Sequence, residues 1–155
     1  MSFRVSGLPV AEFVPLFGLP EAELASRGIA RHTADVFPGF PCRVSLKDAE
    51  PGETLLLLNY EHLSVASPYR SRYAIYVRET AREAQLEVDE VPLVLRRRLL
   101  SLRAFDGAGM LKDADVVDGS ALEPLIDRML AREDVAYLHV HNAKPGCFAA
   151  RVDRV

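Results

Sequence analysis

The sequence predicts an α+β protein with a few helices packed on a mixed, mainly antiparallel sheet. Three observations lead to this class: short apolar or alternating runs of strand length recur along the chain, turn-forming residues join several of them in pairs, and amphipathic segments lie between them. The chain has 155 residues, of which 49% are hydrophobic and 26% are charged. That balance and length are typical of one globular domain, which we expect to span residues 1–155.

The N-terminal third combines short elements with one constrained loop. In order, we expect a strand over 3–8, helices over 11–17 and 21–27, and strands over 29–36 and 43–46. Gly28 follows the second helix, where a helix C-terminus favours a residue with positive φ. Two prolines and a glycine in residues 37–42 predict a constrained loop.

The middle of the chain carries the strongest strand signal. Four consecutive leucines at 55–58 predict a central strand over 54–60 that is buried on both faces. A second strand is expected over 73–78, which is rich in Tyr, Ile and Val. The polar segment 61–72 between them is expected to form a loop, and 91–98 to form a helix.

Two hairpins and one helix are expected in the C-terminal part. The turn signal at 106–109 joins strands over 99–105 and 110–117. Ser120 and Glu123 fit a capping box, which predicts a helix over 120–132 with one apolar stripe. Strands over 135–141 and 148–153 form the second hairpin.

Composition and charge limit the kinds of partner that we expect for this protein. No run approaches the ~20 apolar residues of a membrane span, and the N-terminus lacks the apolar core of a signal peptide, so we expect a cytoplasmic protein without a membrane partner. A formal charge of −3 and a pI of about 5.8 argue against nucleic-acid binding. The basic run 96–98 is the local exception, and we interpret it as a solvated helix end. The oligomeric state stays open.

The leading candidate site lies in the last hairpin. In a strand, His139 and His141 project from one face, whereas Leu138 and Val140 project from the other. Two histidines at this spacing can begin a metal site, but such a site needs at least one further ligand. We do not favour a metal at His139 and His141, and the sequence identifies no cofactor.

Cys147 begins the strand that follows the turn, so we expect it to lie across from His141. A thiol beside an imidazole ionises more readily, which is the requirement for a nucleophilic cysteine. In this hypothesis His141 is the base, Cys147 is the nucleophile, and Asn142 is a candidate for orienting the imidazole. The alternative is that Cys147 is a small buried hydrophobe and that the histidines are structural. Whether Cys42 lies near Cys147 stays open.

Two further motifs supply candidate residues. Tyr60 and His62 share one face where the leucine-rich strand turns polar, although a strand end entering solvent would look the same. Arg70, with Arg43 from the constrained loop, is a candidate clamp for a carboxylate or phosphate. Surface salt bridges are the alternative for such arginines, and no glycine-rich phosphate loop occurs.

Several of these motifs resemble a small bacterial family catalogued as domain of unknown function 1203. The strings that carry the resemblance are residues 38–46, 57–62, 68–70 and 139–147. The resemblance covers essentially the whole chain and implies a stand-alone bacterial protein. It supplies no activity, cofactor or catalytic residue.

The sequence therefore favours a polar pocket for a small, anionic ligand or substrate, with acid–base or thiol chemistry. Its expected catalytic residues are His141, Cys147, His139 and His62, and its expected ligand-binding residues are Tyr60, Arg70, Arg43 and Asn142. The alternative is a non-catalytic ligand-binding or protein-interaction module with structural histidines. The two alternatives differ in whether the histidines and Cys147 share one cavity.

Overall fold

The computed structural model describes residues 1–155 and arranges eight strands in two antiparallel sheets. The strands are β1 (Phe3–Ser6), β2 (Ala30–Thr33), β3 (Thr54–Leu63), β4 (Ser71–Arg78), β5 (Leu99–Phe105), β6 (Leu111–Asp118), β7 (Tyr137–Asn142) and β8 (Phe148–Arg154). The helices are α1 (Glu21–Ser26), α2 (Leu93–Arg96) and α3 (Leu122–Leu130). No helix has the length and apolar character needed to cross a membrane. The predicted α+β class with mainly antiparallel pairing is confirmed.

The larger sheet has the strand order β1-β8-β7-β5-β6. The helix α3 buries its apolar stripe in the main hydrophobic core beside the sheet residues Leu138 and Val140. The stripe consists of Leu122, Leu125, Ile126, Met129 and Leu130. Burying one aliphatic side chain of this size stabilises the fold by ~1.5–3 kcal/mol before the loss of chain entropy is counted.

The smaller sheet has the order β2-β3-β4, so the leucine-rich strand is central as predicted. Leu55, Leu56 and Leu58 are buried, and Leu57 is half-buried. Leu56 and Leu58 belong to a second core that also contains Phe13. Leu55 instead packs with Ala34 and Ala49 in a separate small cluster, so β3 has apolar neighbours on both faces.

Two expected elements near the N-terminus differ from the structure. Residues 11–17 form two separate 3-10 turns, Val10–Glu12 and Val14–Leu16, with a proline in the first turn of the second. The predicted strand over 43–46 is wrong, because the Leu46 N–H donates to the Cys42 carbonyl at 3.1 Å and the chain turns back there. The loop contacts the smaller sheet through a parallel bridge between Cys42 and Tyr76.

The start of α3 also differs from the prediction. A 3-10 turn, Gly119–Ala121, precedes the helix, and the Asp118 carboxylate accepts from the Ser120 N–H at 2.9 Å. Glu123 pairs with Arg96 instead of reaching back to Ser120. The predicted capping box is therefore wrong, because the tertiary partner Arg96 binds the glutamate more strongly than an exposed backbone N–H would.

The arginine run after α2 is not a solvated helix end. Arg96 pairs with Glu123, and Arg97 and Arg98 both contact Asp48, whose side chain is fully buried. Arg98 also donates to the Val94 carbonyl at 2.8 Å. The run therefore ties α2 to the loop that contains Asp48.

The β7–β8 hairpin positions the candidate site. Val140 pairs with Ala150 and His141 pairs with Phe148, so β8 has one extra residue, Ala149, at this point. Such a bulge changes the direction in which the following side chains point. Gly146 has φ 82°, which lets the turn close before Cys147. The predicted second hairpin is confirmed, with its strands beginning and ending within two residues of the expected positions.

Candidate functional site

Two cavities meet at the β7–β8 hairpin. We call the first the thiol cavity; its volume is about 600 Å³, and Asn142 and Cys147 line it. We call the second the histidine cavity; its volume is about 270 Å³, and its lining includes His62, His139 and His141. Asn142 and His141 belong to different cavities because neighbouring side chains of a strand point to opposite faces.

The thiol cavity is built around Arg43, whose backbone is held on both sides. Its N–H donates to the Tyr76 carbonyl at 3.0 Å, and its carbonyl accepts from the Leu8 N–H at 2.8 Å. Gly7 permits this close approach, since a Cβ at that position would lie 2.6 Å from the Arg43 carbonyl oxygen. The loop that carries Arg43 is therefore fixed between β4 and the segment after β1.

The Arg43 side chain is 2% exposed and makes three hydrogen bonds. Its Nε donates to the Phe148 carbonyl at 2.7 Å and its Nη1 to the Pro41 carbonyl at 2.5 Å. Its Nη2 donates to the Cys147 sulfur at 2.8 Å. No carboxylate pairs with this guanidinium.

A buried charge is costly unless an opposite charge compensates it. Burial lowers the pKa of Arg43, and its interaction with Cys147 acts in the opposite direction. The Cys147 sulfur is the one ionisable partner that the guanidinium donates to. Arg43 and Cys147 therefore form a buried cation–sulfur contact in which no carboxylate takes part.

Asn142 completes the floor of the thiol cavity. It is 5% exposed, and its Nδ2 donates to the Cys147 sulfur at 3.5 Å. Its backbone N–H donates to the Cys147 carbonyl at 2.9 Å, which fixes the two residues relative to each other. The Asn142 Oδ1 is buried and has no hydrogen-bond partner in the protein. A buried acceptor without a partner is uncommon in proteins.

The rest of the thiol cavity is cationic with an apolar wall. Arg97, Arg98 and Lys144 line it, and the two arginines share the single carboxylate of Asp48. Lys144 is exposed and makes no salt bridge. The exposed Asp118 is the only acidic residue among the lining residues. The apolar part of the wall is formed by Leu57, Tyr73, Tyr76 and Leu99.

The histidine cavity contains three imidazoles among aromatic rings. The ring centroid of His62 lies 5.0 Å from that of His141 and 6.2 Å from that of His139. His62 also stacks on Phe148, with ring centroids 5.5 Å apart. Arg103 lines the same cavity, and its Nε donates to the Ser101 hydroxyl at 3.4 Å.

The three imidazoles are neutral at pH 7. Burial, reinforced by the neighbouring cations, lowers the pKa of His139 and of His141 to about 3, and burial also lowers the pKa of His62. The His141 Nδ1 lies 2.9 Å from the Gly146 carbonyl, which can only accept, so Nδ1 carries the proton and Nε2 has the free lone pair. No group of three or more His, Cys, Asp or Glu side chains could hold a metal ion.

The structure thus divides the predicted site residues. It brings Arg43, Asn142 and Cys147 together, but it does not place His141 beside Cys147. His141 lines the other cavity with His62 and His139. The expected single recess for imidazoles and sulfur is therefore replaced by two cavities. The Asn142 N–H donates to the Cys147 carbonyl across the turn, so the sulfur lies beside Asn142, whereas alternation along β7 turns His141 to the other face.

Two predicted ligand-binding residues lie outside both cavities. The Tyr60 hydroxyl donates to the Glu12 carboxylate at 2.9 Å, and burial raises the pKa of Tyr60. Arg70 is exposed and pairs with Glu61, as the surface salt-bridge alternative holds. Neither side chain lines a cavity.

The sequence did not single out the cations Arg97, Arg98 and Lys144 as residues of the thiol cavity, nor the buried Asp48 that pairs with the two arginines. Lys144 carried a usable signal, because it lies in the turn that connects the two candidate strands. Arg98 belonged to a noticed run, but its contact with Asp48 is a long-range contact that spacing does not reveal. Asp48 carried no signal, since an aspartate in a turn is ordinarily exposed.

The comparisons with known proteins identify a family and nothing beyond it. The model of a family described as "Protein of unknown function (DUF1203)" matches residues 39–154. No curated protein and no solved structure matches the chain. The matched residues include Arg43, Asn142 and Cys147 as well as the three histidines of the second cavity. The chain therefore belongs to the DUF1203 family of proteins of unknown function.

Proposed function

We propose that the protein binds a small anionic molecule in the thiol cavity and that Cys147 acts as a nucleophile on it. The observation that carries this proposal is the buried guanidinium of Arg43, which donates to the Cys147 sulfur at 2.8 Å and has no carboxylate partner. An arginine that is only structural would normally be neutralised by Asp or Glu. Here the sulfur, or an anion next to it, supplies that charge.

The dimensions of the thiol cavity suit a small molecule. Its volume of about 600 Å³ lies within the ~300–1,000 Å³ that small-molecule sites commonly have. An apolar wall with few polar groups at one end is the usual arrangement of such sites. Tyr76 and Leu99 belong to the wall, and Asn142 and Cys147 form the polar end.

The charge of the cavity favours an anion. Asp48 neutralises one of the two guanidinium groups of Arg97 and Arg98, and the ammonium group of Lys144 makes no ion pair. Positive charge along a concave wall raises the local concentration of anions and increases their association rate. Arg97, Arg98 and Lys144 would therefore guide the ligand, whereas Arg43 is already engaged with the sulfur at the floor.

Thiol chemistry fits this arrangement better than acid–base chemistry does. The sulfur accepts from Arg43 and from Asn142, and both hydrogen bonds stabilise an anionic sulfur. The imidazoles that would serve as proton carriers line the other cavity. The proposed role of Cys147 therefore needs no neighbouring base, because the sulfur is activated by a fixed cation.

A pair of alkylating reagents tests both parts of the proposal. Iodoacetamide and iodoacetate react with thiolates by the same displacement but differ by one negative charge. Relative to N-acetylcysteine at pH 7, we expect Cys147 to react faster with both reagents and to favour iodoacetate by about tenfold, because the lining cations attract it. Mass spectrometry of the intact protein and of its peptides measures the rates and locates the label.

Matched variants make the test specific. Cys147→Ser should abolish fast labelling, since Cys42 is 1% exposed. Lys144→Ala should reduce the preference for iodoacetate, whereas Lys47→Ala, which removes an exposed lysine outside the thiol cavity, should leave it unchanged. A Cys147 that reacts no faster than N-acetylcysteine would eliminate the nucleophile. If Cys147 favoured iodoacetate over iodoacetamide no more than N-acetylcysteine does, the anion site would be eliminated.

A further inference from the structure

We infer that the molecule that reacts at Cys147 is a hydroperoxide, in particular an organic hydroperoxide that carries an anionic group. This inference rests on the proposed function, because it names the substrate class of the same thiol cavity. It is carried by the juxtaposition at the cavity floor of the Cys147 sulfur, the Arg43 guanidinium and the unpartnered Asn142 Oδ1.

The groups that contact the Cys147 sulfur favour cleavage of an O–O bond over acyl transfer. Acyl transfer to a cysteine ordinarily requires a general acid that protonates the leaving amine or alcohol. The sulfur of Cys147 has a guanidinium and an amide as its hydrogen-bond partners, and the imidazoles of His139 and His141 line the histidine cavity. Cleavage of an O–O bond needs only a thiolate and a cation, because the leaving oxygen departs as an anion that a cation stabilises.

Asn142 supplies the acceptor that a hydroperoxide requires. The reacting oxygen of a hydroperoxide carries a hydrogen, which must be accepted if the group is to be held in a buried place. The Asn142 Oδ1 is such an acceptor, in a residue that is 5% exposed and whose Nδ2 is directed to the sulfur. The same amide therefore touches the nucleophile through nitrogen and would hold the attacked oxygen through Oδ1.

Arg43 supplies donors for the leaving oxygen. A guanidinium has five N–H donors, and the Phe148 carbonyl, the Pro41 carbonyl and the Cys147 sulfur accept from three different nitrogens. Each terminal nitrogen carries a second N–H, so donors remain for the oxygen that becomes an anion. Because Arg43 is fixed at three points, these donors need little rearrangement during the reaction.

The reaction is balanced with a hydroperoxide and a thiol as the only co-reactants. The sulfur electron pair attacks the terminal oxygen, an S–O bond forms and the O–O bond breaks. Cys147 becomes a sulfenic acid, and the hydroperoxide is reduced to an alkoxide that takes a proton from water to give the alcohol. A low-molecular-weight thiol then condenses with the sulfenic acid and releases water, and a second such thiol reduces the mixed disulfide.

We assign the reduction to an external thiol because Cys42 is engaged elsewhere. Its sulfur accepts from the Ser45 N–H at 3.5 Å and from the Arg78 N–H at 3.3 Å, and the side chain is 1% exposed. Forming a disulfide with Cys147 would break both hydrogen bonds and move a buried core residue. The anionic group of the substrate would face Lys144 and Arg98, and its apolar body would lie against Tyr76.

Stopped-flow measurement of the oxidation of the full-length protein by three hydroperoxides tests the inference. The probes are hydrogen peroxide, cumene hydroperoxide and para-carboxylated cumene hydroperoxide, and dimedone traps the sulfenic acid for mass spectrometry. We expect dimedone on Cys147, oxidation faster than that of N-acetylcysteine, and a further gain of about tenfold from the added carboxylate. Lys144→Ala should remove that gain, whereas Lys47→Ala, which removes an exposed lysine outside the thiol cavity, should retain it.

Asn142→Ala tests the acceptor directly. It should slow oxidation by cumene hydroperoxide by about tenfold, the effect of losing one good hydrogen bond, while alkylation by iodoacetamide changes less. An equal loss in both reactions would show that Asn142 acts only on the sulfur and would overturn its assigned role. If circular dichroism shows that Asn142→Ala does not fold, the comparison of the two cumene hydroperoxides on the wild type and Lys144→Ala still tests the substrate class.

The outcomes separate this inference from the proposed function. Oxidation of Cys147 no faster than that of N-acetylcysteine by all three probes, together with retained selectivity for iodoacetate, would overturn the hydroperoxide assignment and leave the anion-binding thiol in place. Loss of the iodoacetate selectivity as well would overturn both. Fast oxidation without any effect of the carboxylate would overturn the anionic substrate class.

Discussion

The two cavities share one hairpin, but the titratable group buried in the histidine cavity is neutral, whereas the one buried in the thiol cavity is charged. His141 is 1% exposed and Arg43 is 2% exposed, so both are equally removed from water. Burial lowers the pKa of His141 to about 3 and leaves it neutral. Arginine does not lose its proton under the same pressure, so its charge must be met by a partner. Equal burial therefore gives a neutral aromatic cluster on one side of the hairpin and a cation–sulfur pair on the other.

The largest expected difference between the cavities is in acid. A histidine whose pKa is about 3 in the folded protein and about 6.5 in the unfolded chain binds its proton only after unfolding. Its contribution to stability is therefore complete above about pH 6.5 and is lost as the pH falls toward 3. We expect His139 and His141 each to reduce the free energy of unfolding by about 1.4 kcal/mol per pH unit in this window.

Urea unfolding at pH 7, 6 and 5 measures this slope. His139→Phe should remove one histidine's share of the slope, whereas Lys47→Ala, which removes an exposed lysine outside both cavities, should leave the slope unchanged. Three carboxyl groups also have lowered pKa values, those of Glu53, Glu79 and Glu123. Their contribution to the free energy of unfolding is lost only at more acidic pH, as the pH falls through those pKa values. A stability that stays level between pH 7 and pH 5 would contradict the neutral, buried histidines.

The next largest effect should come from removing the buried cation. Arg43→Met keeps much of the side-chain volume but leaves the Phe148 and Pro41 carbonyls without their donor and the Cys147 sulfur without its cation. We expect the free energy of unfolding at pH 7 to fall by about 3 kcal/mol, the usual cost of breaking a buried charged network. Arg103→Met in the histidine cavity is the matched control and should cost less, because Arg103 makes one long hydrogen bond and no ion pair. Equal losses would remove the distinction between the cavities.

The smallest effect should come from replacing a histidine with a ring of similar shape. The Nδ1 of His139 has no partner, and the side chain packs among Phe105, Tyr137 and Phe148. Replacing an unsatisfied buried polar group by an apolar one of similar shape is nearly neutral or stabilising, so His139→Phe should change the free energy of unfolding at pH 7 by no more than about 1 kcal/mol. Thermal unfolding measures it. A loss of several kcal/mol would show that the His139 imidazole makes a polar contact essential to the fold.

Local pattern was sufficient for much of the fold. The strand signal of residues 99–105 matches β5, and the alternation along residues 137–142 correctly placed His139 and His141 on one face, away from Val140. The prediction from local sequence patterns failed at two places. Glu123 pairs with Arg96 instead of capping its own helix, and residues 43–46 turn instead of forming a strand.

The site shows the same division. Cys147, Asn142 and Arg43 could each be picked out as residue types that carry chemistry, but their mutual distances could not. The turn places Cys147 across from Asn142 rather than from His141, and the extra residue Ala149 then shifts the register along β8. No residue type in this segment marks that bulge.

By itself, the sequence determined the periodic elements, the hairpin and the shared face of the two histidines, because side-chain alternation and turn chemistry act over a few neighbouring residues. Only the tertiary structure decided which groups meet. Arg43 and Cys147 are separated by 104 residues along the chain, and Asp48 and Arg98 by 50. Such contacts depend on how the two sheets and their loops pack. A buried charge without a partner is costly, so the stable fold is one that brings a partner to each buried charge.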